Sequence, residues 1–265
     1  MGNTVDKLRK TELSEKQIAL CRLGQHSFLM KNGDVLIAFD PYLSASERRL
    51  VAPLAEAEEL ADFDFIFGSH DHSDHIDRPQ LARMAHGKAV FVFPEAIADS
   101  ITEVPRSKIL FMKGDDEIEF GKLKISAVPG AHEFLEKNAN GAYFNLGFAV
   151  KKNDICVYHS GDCCIYEGLF SRLKALAPDV MLLPVNGRDA ERLRRNCIGN
   201  MTYQEAVDLA GSVAPDLVVP GHYDMFEGNL ENPQLFVDYA GVKFPQLATG
   251  IMPPGEIKIF TKGKK

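Results

Sequence analysis

Apolar residues recur along this chain in short blocks, rich in Val, Ile, Leu and Phe and bounded by Gly, Pro, Asn and Asp. That rhythm reads as strands separated by turns. Residues 18–23, 27–30 and 35–39 predict three strands joined by short turns, one of them Asn32-Gly33-Asp34. Further strands are expected at 63–67, 89–93, 109–112, 123–128, 143–150, 155–159, 180–184 and 217–219, with a last edge strand at 256–261. Helical patterning appears in part of the Ala-, Glu- and Leu-rich stretch 44–60, at 79–86, just after Pro94, and at 169–176. A helix over 202–213 opens on a Thr-x-x-Glu capping box, Thr202 and Glu205. The charged run Glu191, Arg192, Arg194, Arg195 predicts a solvated helix or loop face. The first half is mostly hairpins and the second mixes helices with strands. Two sheets packed face to face, with helices outside, would bury such strands. No low-complexity linker interrupts the pattern, so residues 1–265 are expected to form one domain.

Composition narrows the partners. The chain is 45% hydrophobic and carries a net charge of −7, so no global basic footprint marks it for long nucleic acid. Its five cysteines follow no disulfide or zinc-clamp spacing, and Cys163 and Cys164 are adjacent. Reduced thiols in a cytoplasmic protein are expected. The first seventeen residues hold no apolar signal core, and no apolar run is long enough to span a membrane. A homo-oligomer is compatible with all of this.

The chemistry concentrates in Ser69-His70-Asp71-His72-Ser73-Asp74-His75, directly after an apolar block. Residues two apart on an extended segment point the same way, so His70 and His72 can grip one metal ion. Asp74 and His75 fall on the turn that follows and can face a second ion. The plain alternative is a His-rich surface loop. Three further ligand-type residues recur where an apolar strand runs into a glycine: His132 after Gly130, Asp162 after Gly161 and His222 after Gly221. A glycine permits a sharp turn at a sheet edge, where residues distant in sequence can converge. His26 and His159 lie near turns that approach this edge, and His86 reads as solvated.

His70-x-His72-x-Asp74-His75, with Asp40 in Phe39-Asp40-Pro41 and the later His132, Asp162 and His222 in order, resembles the metallo-β-lactamase-fold hydrolases. The resemblance runs from about Ile18 to Phe226. It implies an α/β (α+β type) fold, a four-layer αβ/βα sandwich with a dinuclear metal site at one edge. Carried over residue by residue, it implies that His70, His72 and His132 hold one metal, that Asp74, His75 and His222 hold the other, and that Asp162 bridges both. It places Asp40 behind the ligands, orienting an imidazole.

Two divalent ions can lower the pKa of a shared water from about 15.7 to about 7, so hydrolysis by a metal-bound hydroxide is the expected reaction. Asp74 and Asp162 are the expected catalytic carboxylates. A ligand set of His and Asp suits zinc and tolerates manganese or iron. Cys163 and Cys164 follow Asp162 directly, and their plain reading is buried small residues. The segments Pro184–Asp189, 198–202 and 221–226, with the opening Leu23-Gly24-Gln25-His26-Ser27-Phe28, are similar to the L-ascorbate-6-phosphate lactonase branch. That likeness implies opening of a lactone or related ester on a small anionic substrate, a phosphorylated sugar acid. Arg188 offers a fork for phosphate or carboxylate, Asn186 a donor to a carbonyl, and Tyr223 a pocket wall. The rivals are a phosphodiesterase on the same fold, acting on a cyclic nucleotide or phospholipid, and a non-enzymatic metal-dependent sensor or scaffold.

Overall fold

The computed structural model describes residues 4–263. The alternating strand blocks build two sheets. The first holds seven strands in the order β13-β1-β2-β3-β4-β5-β6. These are β1 (Gln17–Gly24), β2 (Ser27–Asn32), β3 (Val35–Phe39), β4 (Phe65–Phe67), β5 (Val90–Pro94), β6 (Ile109–Met112) and β13 (Ile257–Thr261). Strands β13 to β3 pair antiparallel as hairpins and a returning edge, whereas β3 to β6 run parallel. The second sheet holds six strands in the order β12-β11-β10-β9-β8-β7. They are β7 (Glu117–Phe120), β8 (Leu123–Pro129), β9 (Leu146–Lys152), β10 (Ile155–His159), β11 (Val180–Pro184) and β12 (Leu217–Gly221). Here β7 to β10 are antiparallel and β10 to β12 parallel.

The period-2 pattern decides the layering. In β4, Phe65 and Phe67 join the core between the sheets, and Ile66 faces the opposite side. In β11, Val180 and Leu182 face the inter-sheet core, while Met181 and Leu183 face the helices. Outside the first sheet lie α1 (Thr4–Lys10), α2 (Ala57–Leu60) and α3 (Arg78–Met84). Outside the second lie α4 (Leu169–Leu176), α6 (Tyr203–Val213) and α7 (Pro233–Lys243). The result is the four-layer αβ/βα sandwich that the resemblance implied. Phe28, Phe39, Phe67 and Phe148 are fully buried between the sheets. Each such side chain contributes roughly 1.5–3 kcal/mol of burial.

Several expectations are corrected. Only Ala57–Leu60 of the stretch 44–60 is helical. Upstream, the Arg49 side chain donates to the carbonyls of Tyr42, Ser44 and Val51, which fixes an irregular loop instead. The strand expected at 143–150 begins at Leu146 and runs to Lys152. Helices α1 and α7 and strand β7 were not foreseen. The capping box is present as read, with Thr202 and Glu205 bonded reciprocally. The charged run lies in α5 (Ala190–Arg194) and just beyond it, with Glu191 pairing Arg194 and Arg195 on the surface. Among the described residues, no helix is long and apolar enough to cross a membrane.

Candidate metal centre

The ligand-type residues sit at the C-terminal ends of strands from both sheets. Asp40 follows β3 and the His70–His75 segment follows β4. His132 follows β8, Asp162 follows β10 and His222 follows β12. The backbone is strained where the chain turns into the site. Asp40 has φ 44° and His222 has φ 59°, left-handed conformations uncommon for residues other than glycine. Gly161 is the one of the three glycines before the ligands with a positive φ, 57°, and a Cβ there would lie 2.5 Å from Ser69 Cβ. Gly221 serves a different end, leaving room for the ring of His26.

Two groups of donor atoms converge. His70, His72, His132 and Asp162 form one, and Asp74, His75 and His222 the other. Within each group the donor atoms lie within 4.8 Å of one another, so each could hold a metal ion. The Asp162 carboxylate lies between them. Its Oδ2 is 3.6 Å from His132 Nε2, 4.0 Å from His70 Nε2 and 3.2 Å from His222 Nε2, and its Oδ1 is 3.3 Å from His75 Nε2. His75 Nε2 and Asp162 Oδ1 are both buried without a hydrogen-bond partner. Buried polar atoms in a native fold are normally satisfied, and a cation between these two atoms would satisfy both. The donor set therefore fits divalent metal ions.

The surrounding contacts orient the rings. His75 Nδ1 donates to Asp40 Oδ2 at 2.6 Å, which turns Nε2 toward Asp162. Asp40 also accepts from the Ser69 backbone N–H at 2.7 Å and from Ser69 Oγ at 2.6 Å. His70 Nδ1 lies 3.0 Å from Ser69 Oγ, and His132 Nδ1 lies 3.3 Å from the Gly199 carbonyl. Asp77 ties the loop after Asp40 to the ligand loop by accepting from the backbone of Leu43 and Ser44.

Charge follows burial and pairing. Burial pushes His70 well below the usual imidazole range, with the charge of His75 adding to the effect, and pushes His132 down to about 4. Burial would also lower His75, but the carboxylates of Asp162, Asp74 and Asp40 outweigh it and raise that pKa well above the ordinary value. Burial would raise Asp162, yet His222 and His75 hold it well below the carboxylate range.

The other expected residues have partners of their own. His159 donates from Nε2 to the His26 carbonyl at 2.8 Å, and its ring stacks on Phe39. The His26 ring centroid is 4.1 Å from that of His159. Cys163 is fully buried, and burial pushes its thiol up to about 12. Cys164 is buried against the Gly199 carbonyl. The Arg188 guanidinium makes two 2.7 Å bonds to Glu205 and one to the Asn200 carbonyl. The Asn186 amide is bonded to Asn200 and Asn229. The Tyr223 ring lies under the buried Arg22, 4.2 Å away. Gln25, part of the 23–28 likeness but assigned no role there, reaches the site directly, donating to Asp74 Oδ2 at 2.7 Å. In sequence it stands beside Gly24 at a turn between strands.

A cleft of about 200 Å³ opens over His70, His72 and His132, lined also by Ile97, Phe144 and Ile198. A larger cavity, about 890 Å³, lies at the other end of β10 among surface lysines. It includes none of the two donor groups, so the chemistry belongs to the smaller cleft.

Residues 36–223 match the family model described as the beta-lactamase superfamily domain. The chain belongs to that family. Within the beta-lactamase superfamily it is similar to the UPF0173 metal-dependent hydrolase of Caldivirga maquilingensis, 27% identical over 240 residues that span 89% of this chain and 95% of the relative. Among solved structures it is similar to Igni18, a metallo hydrolase from Ignicoccus hospitalis, with a TM-score of 0.72 and 22% identity over 92% of this chain and 98% of that one. It also shares the fold of CmlA, a diiron beta-hydroxylase from Streptomyces venezuelae, with a TM-score of 0.70 and 14% identity over 94% of this chain and 55% of the longer one. A hydrolase and a hydroxylase on one superfamily fold show that the fold alone does not select the reaction.

Proposed function

We propose that His70, His72 and His132 hold one divalent ion, that Asp74, His75 and His222 hold a second, and that Asp162 bridges them. On this reading the centre hydrolyses a lactone or related ester whose non-reacting part is apolar and uncharged. The coarser statement, a metal-dependent hydrolase of the beta-lactamase fold, rests on the family match, on the metal-dependent hydrolases among the relatives and on the two donor groups. The observation that carries the two-ion reading is the Asp162 carboxylate, buried between both histidine groups with one oxygen unpartnered.

When bound, the ions would supply a nucleophilic water at neutral pH and polarise the attacked bond. The chain supplies the rest. Asp162 fixes the spacing of the two groups from between them. Asp40 keeps His75 in the tautomer whose Nε2 faces inward. Asp74 stands 3.7 Å from both His75 Nε2 and His222 Nε2. From there its carboxylate can take the proton of the attacking water and return it to the leaving oxygen.

The cleft lining supports the apolar substrate. Besides ligands it presents Ile97, Phe144 and Ile198, with Asn145 as a neutral polar residue and Asp71 and Glu136 as its charged residues. Arg78, beside it, is held by Asp71 at 2.7 Å and by Glu103, and Arg188 is held by Glu205. Both guanidiniums are already paired with carboxylates, so capture of a phosphate would have to displace them, and the phosphorylated sugar acid suggested by the lactonase likeness fits less well than a neutral lactone.

Acid release in a pH-stat tests this. Metal-stripped protein would be restored with zinc or manganese and offered neutral alkyl lactones, a phosphorylated sugar lactone and bis-p-nitrophenyl phosphate. Metal-dependent opening of the neutral lactones, abolished in Asp162→Ala and with KM within twofold in Arg188→Gln, is expected. Preference for the phosphorylated lactone, with a KM that rises tenfold in Arg188→Gln, would restore anion capture. Diester cleavage alone would move the assignment to a phosphodiesterase.

A further inference from the structure

Among the histidines of the two donor groups, three have a partner on the ring nitrogen that faces away from the cluster. His75 has Asp40, His70 has Ser69 Oγ and His132 has the Gly199 carbonyl. His222 has none: its Nδ1 is buried and without a hydrogen-bond partner among the described residues. Metal-binding imidazoles ordinarily depend on such a partner for orientation. Something else must hold His222.

Gln25 occupies that role from the other side. It is buried at the β1–β2 turn in a left-handed conformation, φ 51°. Its carbonyl accepts from the His222 backbone N–H at 2.8 Å. Its Nε2 is 2.7 Å from Asp74 Oδ2 and 3.2 Å from His222 Nε2. An ionised carboxylate selects the NH₂ end of the amide, and that end carries two N–H groups. One can bond Asp74, whose oxygen keeps a second lone pair for an ion, and the other can rest on the His222 lone pair only until an ion takes it. The strained turn is itself braced: the Gln25 backbone N–H donates to Asp224 Oδ1 at 3.0 Å, and Asp224 pairs at 2.5 Å with the fully buried Arg22. Arg22 also donates to the Met252 carbonyl.

We propose that Gln25 is a positioning residue for the second ion, holding Asp74 and His222 at ligand spacing before that ion arrives. Asp74 comes from the first sheet and His222 from the second. One carboxamide thus links the two halves of this ligand set, and Asp40 sets the third member, His75. The inference rests on the two-ion reading above but on no substrate.

The test is a calorimetric titration of metal-stripped protein with Zn²⁺, repeated with Co²⁺ to follow its visible absorption. Gln25→Met keeps the volume and removes both donors. Gln25→Gly keeps the turn unstrained and serves if the first variant misfolds. The second equivalent is expected to weaken about 10–100-fold, in line with the loss of outer partners elsewhere, with the first equivalent unchanged within threefold. The cobalt band of the second equivalent should shift with it. Two equivalents bound as in the parent chain would overturn the proposal, as would equal weakening of both, which marks a general structural role. No uptake, or a single equivalent, in the parent chain would overturn the two-ion reading itself.

Discussion

Replacing Asp40 with Asn tests how far the buried contacts behind the ligands control the site. Asparagine tolerates the left-handed backbone of Asp40, so the substitution removes charge without adding strain. Asp40 accepts three bonds, from the Ser69 N–H, Ser69 Oγ and His75 Nδ1. Asparagine offers one oxygen in their place. The Ser69 backbone N–H can only donate, so it keeps that oxygen. The new NH₂ group then faces Ser69 Oγ, which can turn to accept, and His75 Nδ1, which can accept only by moving its proton to Nε2. That tautomer aims an N–H at Asp162 Oδ1, 3.3 Å away, and removes the lone pair a metal needs. Losing a hydrogen bond to a charged group costs about 1.5–3 kcal/mol, or roughly 10- to 150-fold in affinity. Asp40 also helps hold a proton on His75, so its loss eases proton release and offsets part of this penalty near neutrality. Titrating Zn²⁺ at pH 6.5 and 8.5 separates the two, because the tautomer penalty does not vary with pH. The second ion should bind at least tenfold more weakly at pH 8.5, with the metal-free melting temperature recorded alongside. Two ions bound at parental affinity at pH 8.5 would refute the reasoning.

Two further outcomes follow from the same geometry. Gly161→Ala forces a Cβ to within 2.5 Å of Ser69 at φ 57°, so strain and overpacking should each remove about 1–3 kcal/mol, read as a lower urea midpoint; a loss below about 0.5 kcal/mol contradicts it. Burial holds His132 down to about 4, so the unfolded chain binds more protons than the folded one between pH 4 and about 6.5. Stability of the metal-free protein contributed through His132 is therefore present above about pH 6.5 and lost as pH falls toward 4. The melting temperature should drop less steeply over that window in His132→Gln, and an unchanged slope would remove His132 as a cause.

Much of the site was legible because its signals are local. A period of two carried the strands, and the dense segment His70–His75 marked a loop of ligand-type residues, which the fold brings together with His132, Asp162 and His222. The strand-Gly-ligand pattern placed His132, Asp162 and His222 at one edge, although Gly221 proved to make room for His26 and not to bend the chain. The role proposed for Gln25 was illegible because it rests on a contact 49 residues away, with Asp74. Arg188 looked free in sequence, and only the fold brings Glu205 against it. The irregular course of 44–56 depends on where one side chain, Arg49, finds carbonyls. Helix α7 escaped notice because Leu235 and Val242 are exposed apolar residues that blur its periodicity.

The donor groups draw on loops from both sheets, and His70 and His222 lie far apart in the chain. An ion pair bound there would act as a clasp across the open edge of the sandwich. The unfolded chain has no such assembled site, so the free energy of metal binding adds to that of folding. Prising the sheets apart would first require releasing the ions, which slows the opening that proteases exploit. For a protein built this way, metal scarcity shortens the lifetime of the chain as well as silencing its chemistry.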